Sequence, residues 1–131
     1  MYDLFMEAKL YRWSELAPDN PIDKLTRWKV EGEQMLLAKV HLAKGCHVAL
    51  HQHVSEQMAV MVSGHVRWTL GADGDPEQKQ LEMRGGEVLR LPANVWHGVD
   101  ALEDTEIIDI LSPPGAMGVD RQGVAGSGDG R

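Results

Sequence analysis

Three potential metal ligands lie close together in the segment 45–64: His51, His53 and Gln57. Side chains alternate between the two faces of an extended strand, so His51 and His53 point the same way, about 6–7 Å apart at the backbone. Their imidazoles are then free to converge on one ion. A later histidine, His97, follows another apolar run. We therefore predict a metal site formed by His51, His53, Gln57 and His97.

Both segments resemble the paired motifs of the cupin superfamily. The first motif is a glycine, a His-x-His pair, a glutamate and a second glycine, and the corresponding residues are Gly45, His51, His53, Gln57 and Gly64. The second motif is matched by Gly86, Pro92 and His97, whereas Asn94 and Ala101 replace its usual glycine and asparagine. The resemblance implies a jelly-roll β-barrel that binds a metal through these motif residues.

Gln57 is the main departure from this pattern, because most members have glutamate there. A glutamine resembles a smaller subset that includes the pectin-degradation cupins, which convert unsaturated uronates into a linear keto form. Two other arrangements remain open. Gln57 could orient a histidine without binding the ion, or the neighbouring Glu56 could be the ligand if the strand contains a bulge.

The hydrophobic pattern is that of an all-β protein. Residues 35–42 alternate apolar and mixed positions, and a continuous apolar run at 58–62 is followed by Gly64, where we expect a tight hairpin. Further short runs recur to residue 111, which favours a sandwich or barrel. We expect a single cupin domain over residues 1–114 with an apolar N-terminal packing arm, and a mobile Gly-rich tail over 115–131.

Asp109 interrupts the apolar run at 107–111, where an unpaired carboxylate would cost several kcal/mol. It could be paired with Lys39 or Arg90, or it could be an acid–base group beside the metal. Asp109 lies twelve residues after His97, and the resemblance to the pectin-degradation cupins implies that an aspartate at this spacing is catalytic. Those proteins also have an arginine after two prolines, at a position that is glycine here.

That glycine is Gly115, so the expected partner for a substrate carboxylate is missing from its usual place. Arg121, Lys39 or Arg90 could substitute. Three imidazoles and an amide would leave the charge of a divalent ion uncompensated, which favours polarisation of a carbonyl or hydroxyl group. Zn, Ni, Fe, Mn, Co and Cu all suit such a site.

We therefore expect a metal-dependent isomerase or lyase that moves a proton on a small oxygenated substrate such as a sugar acid. The alternatives are a metal-dependent dioxygenase and a non-catalytic small-molecule-binding cupin. The net charge of −7 argues against nucleic acid or an anionic membrane as partner. A single cysteine and the absence of an export signal make the cytoplasm the expected compartment, and the apolar N-terminus favours a homodimer.

Overall fold

Residues 6–122 are described by a computed structural model, and within them the chain forms nine strands, one 3-10 turn and one short helix. The strands are β1 (Leu25–Glu31), β2 (Leu36–Leu42), β3 (His47–His51), β4 (Glu56–Ser63), β5 (His65–Leu70), β6 (Lys79–Arg84), β7 (Val88–Leu91), β8 (His97–Ala101) and β9 (Thr105–Ser112). The 3-10 turn is Trp13–Glu15 and the helix, α1, is Gly118–Gln122.

The strands form two antiparallel sheets. The first has the order β1-β2-β9-β4-β7 and the second has the order β3-β8-β5-β6. Apolar side chains from the inner faces of both sheets make one core, as in a jelly roll. The predicted all-β jelly roll is therefore confirmed. No helix in the described part of the chain has the length and apolar character that crossing a bilayer requires.

Strand β2 shows how the sequence specifies the inner face. Leu36, Ala38, Val40 and Leu42 are buried and the residues between them are half-buried, in the alternation that the sequence predicted. Because the side-chain period of a strand is two, a slip of one residue would turn all four away from the core. This alternation fixes which residues of the neighbouring β9 face the interior.

The predicted hairpin at Gly64 is wrong. Strands β4 and β5 flank this glycine but belong to different sheets, so the chain crosses from one sheet to the other there. Gly64 has a φ of 102°, and a Cβ atom on it would lie 2.6 Å from Cα of Thr105. The turn residue was recognised correctly, but a local turn signal does not reveal which strands will pair afterwards.

Strand β9 is buried mainly on one face, although its run of apolar residues is compatible with burial of both. Thr105, Ile107, Asp109 and Leu111 point inward, whereas Ile108 and Ile110 are half-buried on the outer face of the first sheet. Asp109 therefore lies in the barrel interior with the core residues.

The two ends differ from the expectation in different ways. Residues 6–12 are exposed, whereas the half-buried Trp13 lies against Lys39 of β2, and Tyr2, Leu4 and Phe5 lie outside the described residues. At the other end, Met117 and Val119 are buried against the barrel, within the segment predicted to be a tail. Residues 123–131 lie outside the described residues, so the mobility of the tail and the domain limits stay predictions.

Candidate metal centre

The four predicted ligands come together in the barrel interior from three strands and one loop. His51 ends β3 and is the register partner of His97, which begins β8. His53 lies in the following loop rather than on the strand, and Gln57 is the second residue of β4. The pairing of β3 with β8 is irregular between Val48 and His51, as at a β-bulge. All four side chains are buried.

The three imidazoles form a compact cluster. Their ring centroids are 5.6 Å apart for His51 and His53, 4.3 Å for His51 and His97, and 4.9 Å for His53 and His97. One ring nitrogen from each lies within 4.8 Å of the others. Three imidazole nitrogens grouped in this way could hold one transition-metal ion.

Backbone carbonyls orient each ring. The Nδ1 atom lies 2.8 Å from the carbonyl oxygen of Ala49 in His51, 2.9 Å from that of Ser55 in His53, and 2.8 Å from that of Val95 in His97. A carbonyl oxygen only accepts hydrogen bonds, so each Nδ1 carries the proton. Nε2 is then the nitrogen left to donate a lone pair to a metal, the arrangement expected around metal-binding histidines.

Gln57 directs its amide oxygen toward this cluster. Oε1 of Gln57 lies 3.1 Å from Nε2 of His53. With the proton of His53 on Nδ1, both of these atoms are acceptors and cannot bond to one another, so a cation between them would satisfy both. Nε2 of His97 is also buried and has no hydrogen-bond partner among residues 6–122. The donor set therefore fits a divalent transition metal held by three imidazoles and one amide oxygen.

The protonation state of His97 also suits a ligand. Burial, with a smaller effect from the neighbouring His51, lowers the pKa of His97 to about 3. The imidazole is therefore neutral at physiological pH, as metal binding requires.

The other candidate at this position, Glu56, is excluded from the cluster by the alternation of β4. Its carboxylate points outward and accepts from Nε of Arg90 across 2.8 Å. The alternative ligand set with Glu56 is therefore wrong for this geometry. Direct binding of an ion by Gln57 stays a prediction that its inward oxygen supports.

Asp109 is another buried polar residue of the barrel interior. On β9 it is flanked by Ala38 of β2 and Ala59 of β4, two alanines that leave room beside the carboxylate. Nε2 of Gln57 donates to Oδ1 of Asp109 across 2.9 Å. Burial raises the pKa of Asp109 to about 7, although the hydrogen bond from Gln57 acts in the opposite direction.

The suggested partners of Asp109, Lys39 and Arg90, lie elsewhere. The ammonium of Lys39 stacks over the rings of Trp13 and Trp28, at 5.7 and 5.1 Å from their centroids. Arg90 pairs with Glu56. The partner of Asp109 in the described residues is instead the amide of Gln57, which also faces the histidines.

A cavity of about 50 Å³ lies between the histidines and the core. Its lining includes His51, Gln57, His97 and Asp109, together with Met117 and Gly118 from the C-terminal segment. Gly118 packs so closely on His51 that a Cβ atom would overlap the imidazole. The sequence did not indicate that the C-terminal segment packs over the histidines, because a glycine-rich stretch carries no hydrophobic periodicity.

The family assignment now follows from both sequence and fold. The chain belongs to the cupin superfamily, since the family model described as a cupin domain, Cupin_2, matches residues 38–111. The match extends from β2 to the end of the inward-facing part of β9 and includes all four predicted ligands. No curated protein sequence matches the chain significantly.

Solved structures share this fold at low sequence identity. KdgF from Halomonas sp. is 23% identical with a TM-score of 0.69, over 82% of this chain and 96% of that one. An RmlC-like cupin from Shewanella frigidimarina is 20% identical with a TM-score of 0.70, over 85% and 96%. Oxalate decarboxylase from Lactobacillus farciminis, in a formate complex, is 17% identical with a TM-score of 0.70, but only 37% of its chain is covered. At these identities the likeness establishes the fold alone.

Proposed function

We propose that this cupin is a metal-dependent isomerase or lyase that moves a proton on a small sugar acid or a related oxygenated substrate. The observation that carries the proposal is that the amide of Gln57 donates to Asp109 while its oxygen faces the histidine cluster, 3.1 Å from Nε2 of His53. It puts an acid–base group and the predicted metal ligands on one cavity. A buried carboxylate with no role in the reaction would be costly to retain there.

His51, His53, Gln57 and His97 would hold the metal. When bound, a divalent ion supplies Lewis-acid chemistry, which stabilises negative charge developing on a substrate oxygen. Asp109 would exchange the proton. Burial raises the pKa of Asp109 to about 7 in the metal-free protein, which makes it a stronger base than an exposed aspartate.

Linearisation of an unsaturated uronate fits these groups. In such a ring the hydroxyl of the hemiacetal carbon loses its proton and becomes a carbonyl, while the ring C–O bond breaks and its electron pair stays on the former ring oxygen. That oxygen then forms a second carbonyl as the alkene carbon takes up a proton. The reaction consumes no oxidant, and one carboxyl group such as Asp109 can move the proton from oxygen to carbon.

The resemblance of the motifs to the pectin-degradation cupins supports this substrate class, as does the likeness of the fold to KdgF from Halomonas sp.. The direct test is to incubate the metal-loaded protein with unsaturated galacturonate and to follow loss of the ring form by proton NMR. Loss of the ring form at a rate above the spontaneous one is expected. An unchanged rate with every divalent metal tested would reject this substrate.

The role of Asp109 is tested with Asp109→Asn, which keeps the shape and removes the base. We expect turnover to be lost and the metal content to be unchanged. Asp73→Asn, at an exposed carboxylate between β5 and β6, is the matched control and should have full activity. Full activity in Asp109→Asn would show that the aspartate is structural. Oxygen consumption by the wild type would instead identify a dioxygenase, and tight binding without turnover would identify a binding protein.

A further inference from the structure

Arg27 is a buried arginine beside residues that line the cavity, and the proposed reaction does not use it. It lies on the inward face of β1, and its side chain is only 2% exposed. Two neighbours of Arg27 on that face line the cavity. They are Leu25 on the same strand and Val40, the register partner of Arg27 on β2. Arg27 therefore lies next to two residues of the cavity wall.

The guanidinium of Arg27 is only partly paired. Its Nε and Nη2 donate to the two carboxylate oxygens of Asp19, across 3.0 and 2.8 Å. Nη2 also donates to Oδ1 of Asp120 across 2.7 Å. Nη1 is buried and has no hydrogen-bond partner in the described part of the chain. Of the two terminal nitrogens, Nη2 is hydrogen-bonded and Nη1 is not. A carboxylate can bind both atoms at once.

Asp120 contacts Arg27 through one carboxylate oxygen only. Its second oxygen, Oδ2, accepts from the backbone N–H of Met117 across 2.8 Å. The contact with Arg27 is therefore a single hydrogen bond, and it anchors the segment that covers His51 through Gly118. A ligand carboxylate that used both Nη1 and Nη2 would make one more charge-assisted hydrogen bond than Asp120 does.

The distance that the covering segment spans, from Gly118 at His51 to Asp120 at Arg27, is comparable to the length of a small ligand. Gly118 contacts the ring of His51 and Asp120 contacts Arg27, and two residues span at most about 7 Å between their Cα atoms. A six-carbon acid of comparable length would replace both contacts, with its oxygens near the histidines and its carboxylate at Arg27.

We propose that Arg27 is the carboxylate-binding residue of this site and that Asp120 occupies it when the segment 117–120, the cover, is closed. An anionic ligand and the cover then compete for the same guanidinium. Arg27 would then bind the substrate carboxylate in place of the arginine that Gly115 replaces. The choice of a sugar acid as ligand rests on the proposed function, so the test uses a saturated sugar acid that cannot undergo the proposed reaction.

The experiment is calorimetric titration of the metal-loaded full chain with D-galacturonate and, separately, with neutral D-galactose. Asp120→Asn removes the competing charge and should bind galacturonate about tenfold more tightly, with galactose binding unchanged. Glu82→Gln removes the same unit of charge at an exposed site on β6 and should bind both sugars as the wild type does. Arg27→Lys keeps the charge, loses the fork and should weaken galacturonate binding about tenfold.

Unchanged galacturonate affinity in Asp120→Asn, or an equal gain for galactose, would overturn the assignment. That result does not depend on whether Arg27→Lys folds, because the side chain of Asp120 is 33% exposed and its replacement is mild. A second readout is the rate at which a chelator removes the metal, which should rise in Asp120→Asn as the cover opens. Tighter galacturonate binding without turnover of the unsaturated sugar would reject the proposed function alone, and turnover with unchanged binding would reject the role of Arg27 alone.

Discussion

Nε2 of Gln57 donates to Oδ1 of Asp109 across 2.9 Å, so the amide oxygen of Gln57 is turned toward the three histidines. A glutamate at this position would present only acceptors when ionised, and it could not make this bond to an ionised aspartate. The replacement of the usual cupin glutamate by glutamine therefore allows a buried carboxylate to lie next to the ligand set.

Gln57→Glu tests this relationship. We expect the variant to retain its metal, because a carboxylate oxygen also binds divalent ions, but to lose about 1–3 kcal/mol of unfolding free energy in the metal-free state. The cause is the loss of the N–H donor and the repulsion of two buried carboxylates. Metal content and urea unfolding at neutral pH measure both effects. Gln80→Glu, on the exposed face of β6, is the control, and equal stability of the two variants would contradict the prediction.

Removal of individual ligands should affect metal binding unequally. His97→Ala removes a neutral imidazole whose Nε2 lacks a partner among the described residues, and we expect a loss of metal affinity of about 100-fold or more. Gln57→Ala should cost less, because an amide oxygen is the weaker donor. Elemental analysis after reconstitution and competition with a chelator rank the variants by metal affinity. If the wild type bound less than a tenth of an equivalent of metal with every ion tested, the metal site itself would be rejected.

The sequence indicated which side chains come together at the candidate site, because much of that information is local. His51, His53 and Gln57 lie within seven residues, although His53 is in the loop after β3 and not on one strand with His51 as predicted. Asn94, which replaces the usual motif glycine before His97, has a φ of 66°, a left-handed conformation that asparagine tolerates. The spacing of Asp109 from His97 located the carboxylate, although its amide partner, 52 residues away on Gln57, was not foreseen.

The interactions that the sequence did not reveal join distant parts of the chain. Arg27 and Asp120 are 93 residues apart, and neither lies in a motif. Gly118 is in a stretch of glycines whose composition resembles that of a tail, yet it packs on His51. Tertiary contact decides these roles, because composition gives the average tendency of a segment and not the fit of one glycine to one ring. Arg121, suggested as a substitute arginine, has a side chain outside the described residues.

The pairing of Arg27 should make stability sensitive to acid. A hydrogen bond from Arg27 and its charge keep the pKa of Asp19 below its ordinary value of 3.8. Burial acts to raise the pKa of Asp120, but the hydrogen bond and charge of Arg27 outweigh it and lower that pKa as well. A lowered pKa contributes stability above the unfolded value of 3.8, and the contribution is lost as the pH falls through the folded value.

We therefore expect Asp120→Asn to be less stable than the wild type at neutral pH and to lose less of its stability on going from pH 5 to about pH 3. Urea unfolding at several pH values in this range measures the difference. Asp73→Asn, which lacks an arginine partner among the described residues, should follow the wild-type curve. Parallel curves for Asp120→Asn and the wild type would contradict the prediction.

Exposed apolar side chains favour a homodimer. Ile108 and Ile110 are only half-buried on the outer face of the first sheet, and β1 and β7 are its edge strands. Light scattering at micromolar concentration should give about twice the chain mass of 14.5 kDa. Deletion of residues 1–12 should yield monomer or aggregate, because this segment carries apolar surface. A mass near that of one chain for the intact protein would reject the dimer.

Gly118→Ala should disturb the cover of the metal centre. Gly118 is outside the left-handed region, so alanine is allowed by the backbone, but its Cβ would overlap the ring of His51. Either the cover or the ring must move, and overpacking of this kind costs about 1–3 kcal/mol. We expect a lower unfolding free energy and faster removal of the metal by a chelator.

Gly115→Ala is the matched control for this substitution. Its Cβ would approach Ser55 Oγ no closer than 3.7 Å, an ordinary contact, so stability and metal release should stay close to those of the wild type. Equal metal release from both alanine variants would show that the packing of Gly118 on His51 does not restrict access to the site. Faster release from Gly118→Ala alone would show that close packing of the cover on His51 controls access to the metal centre.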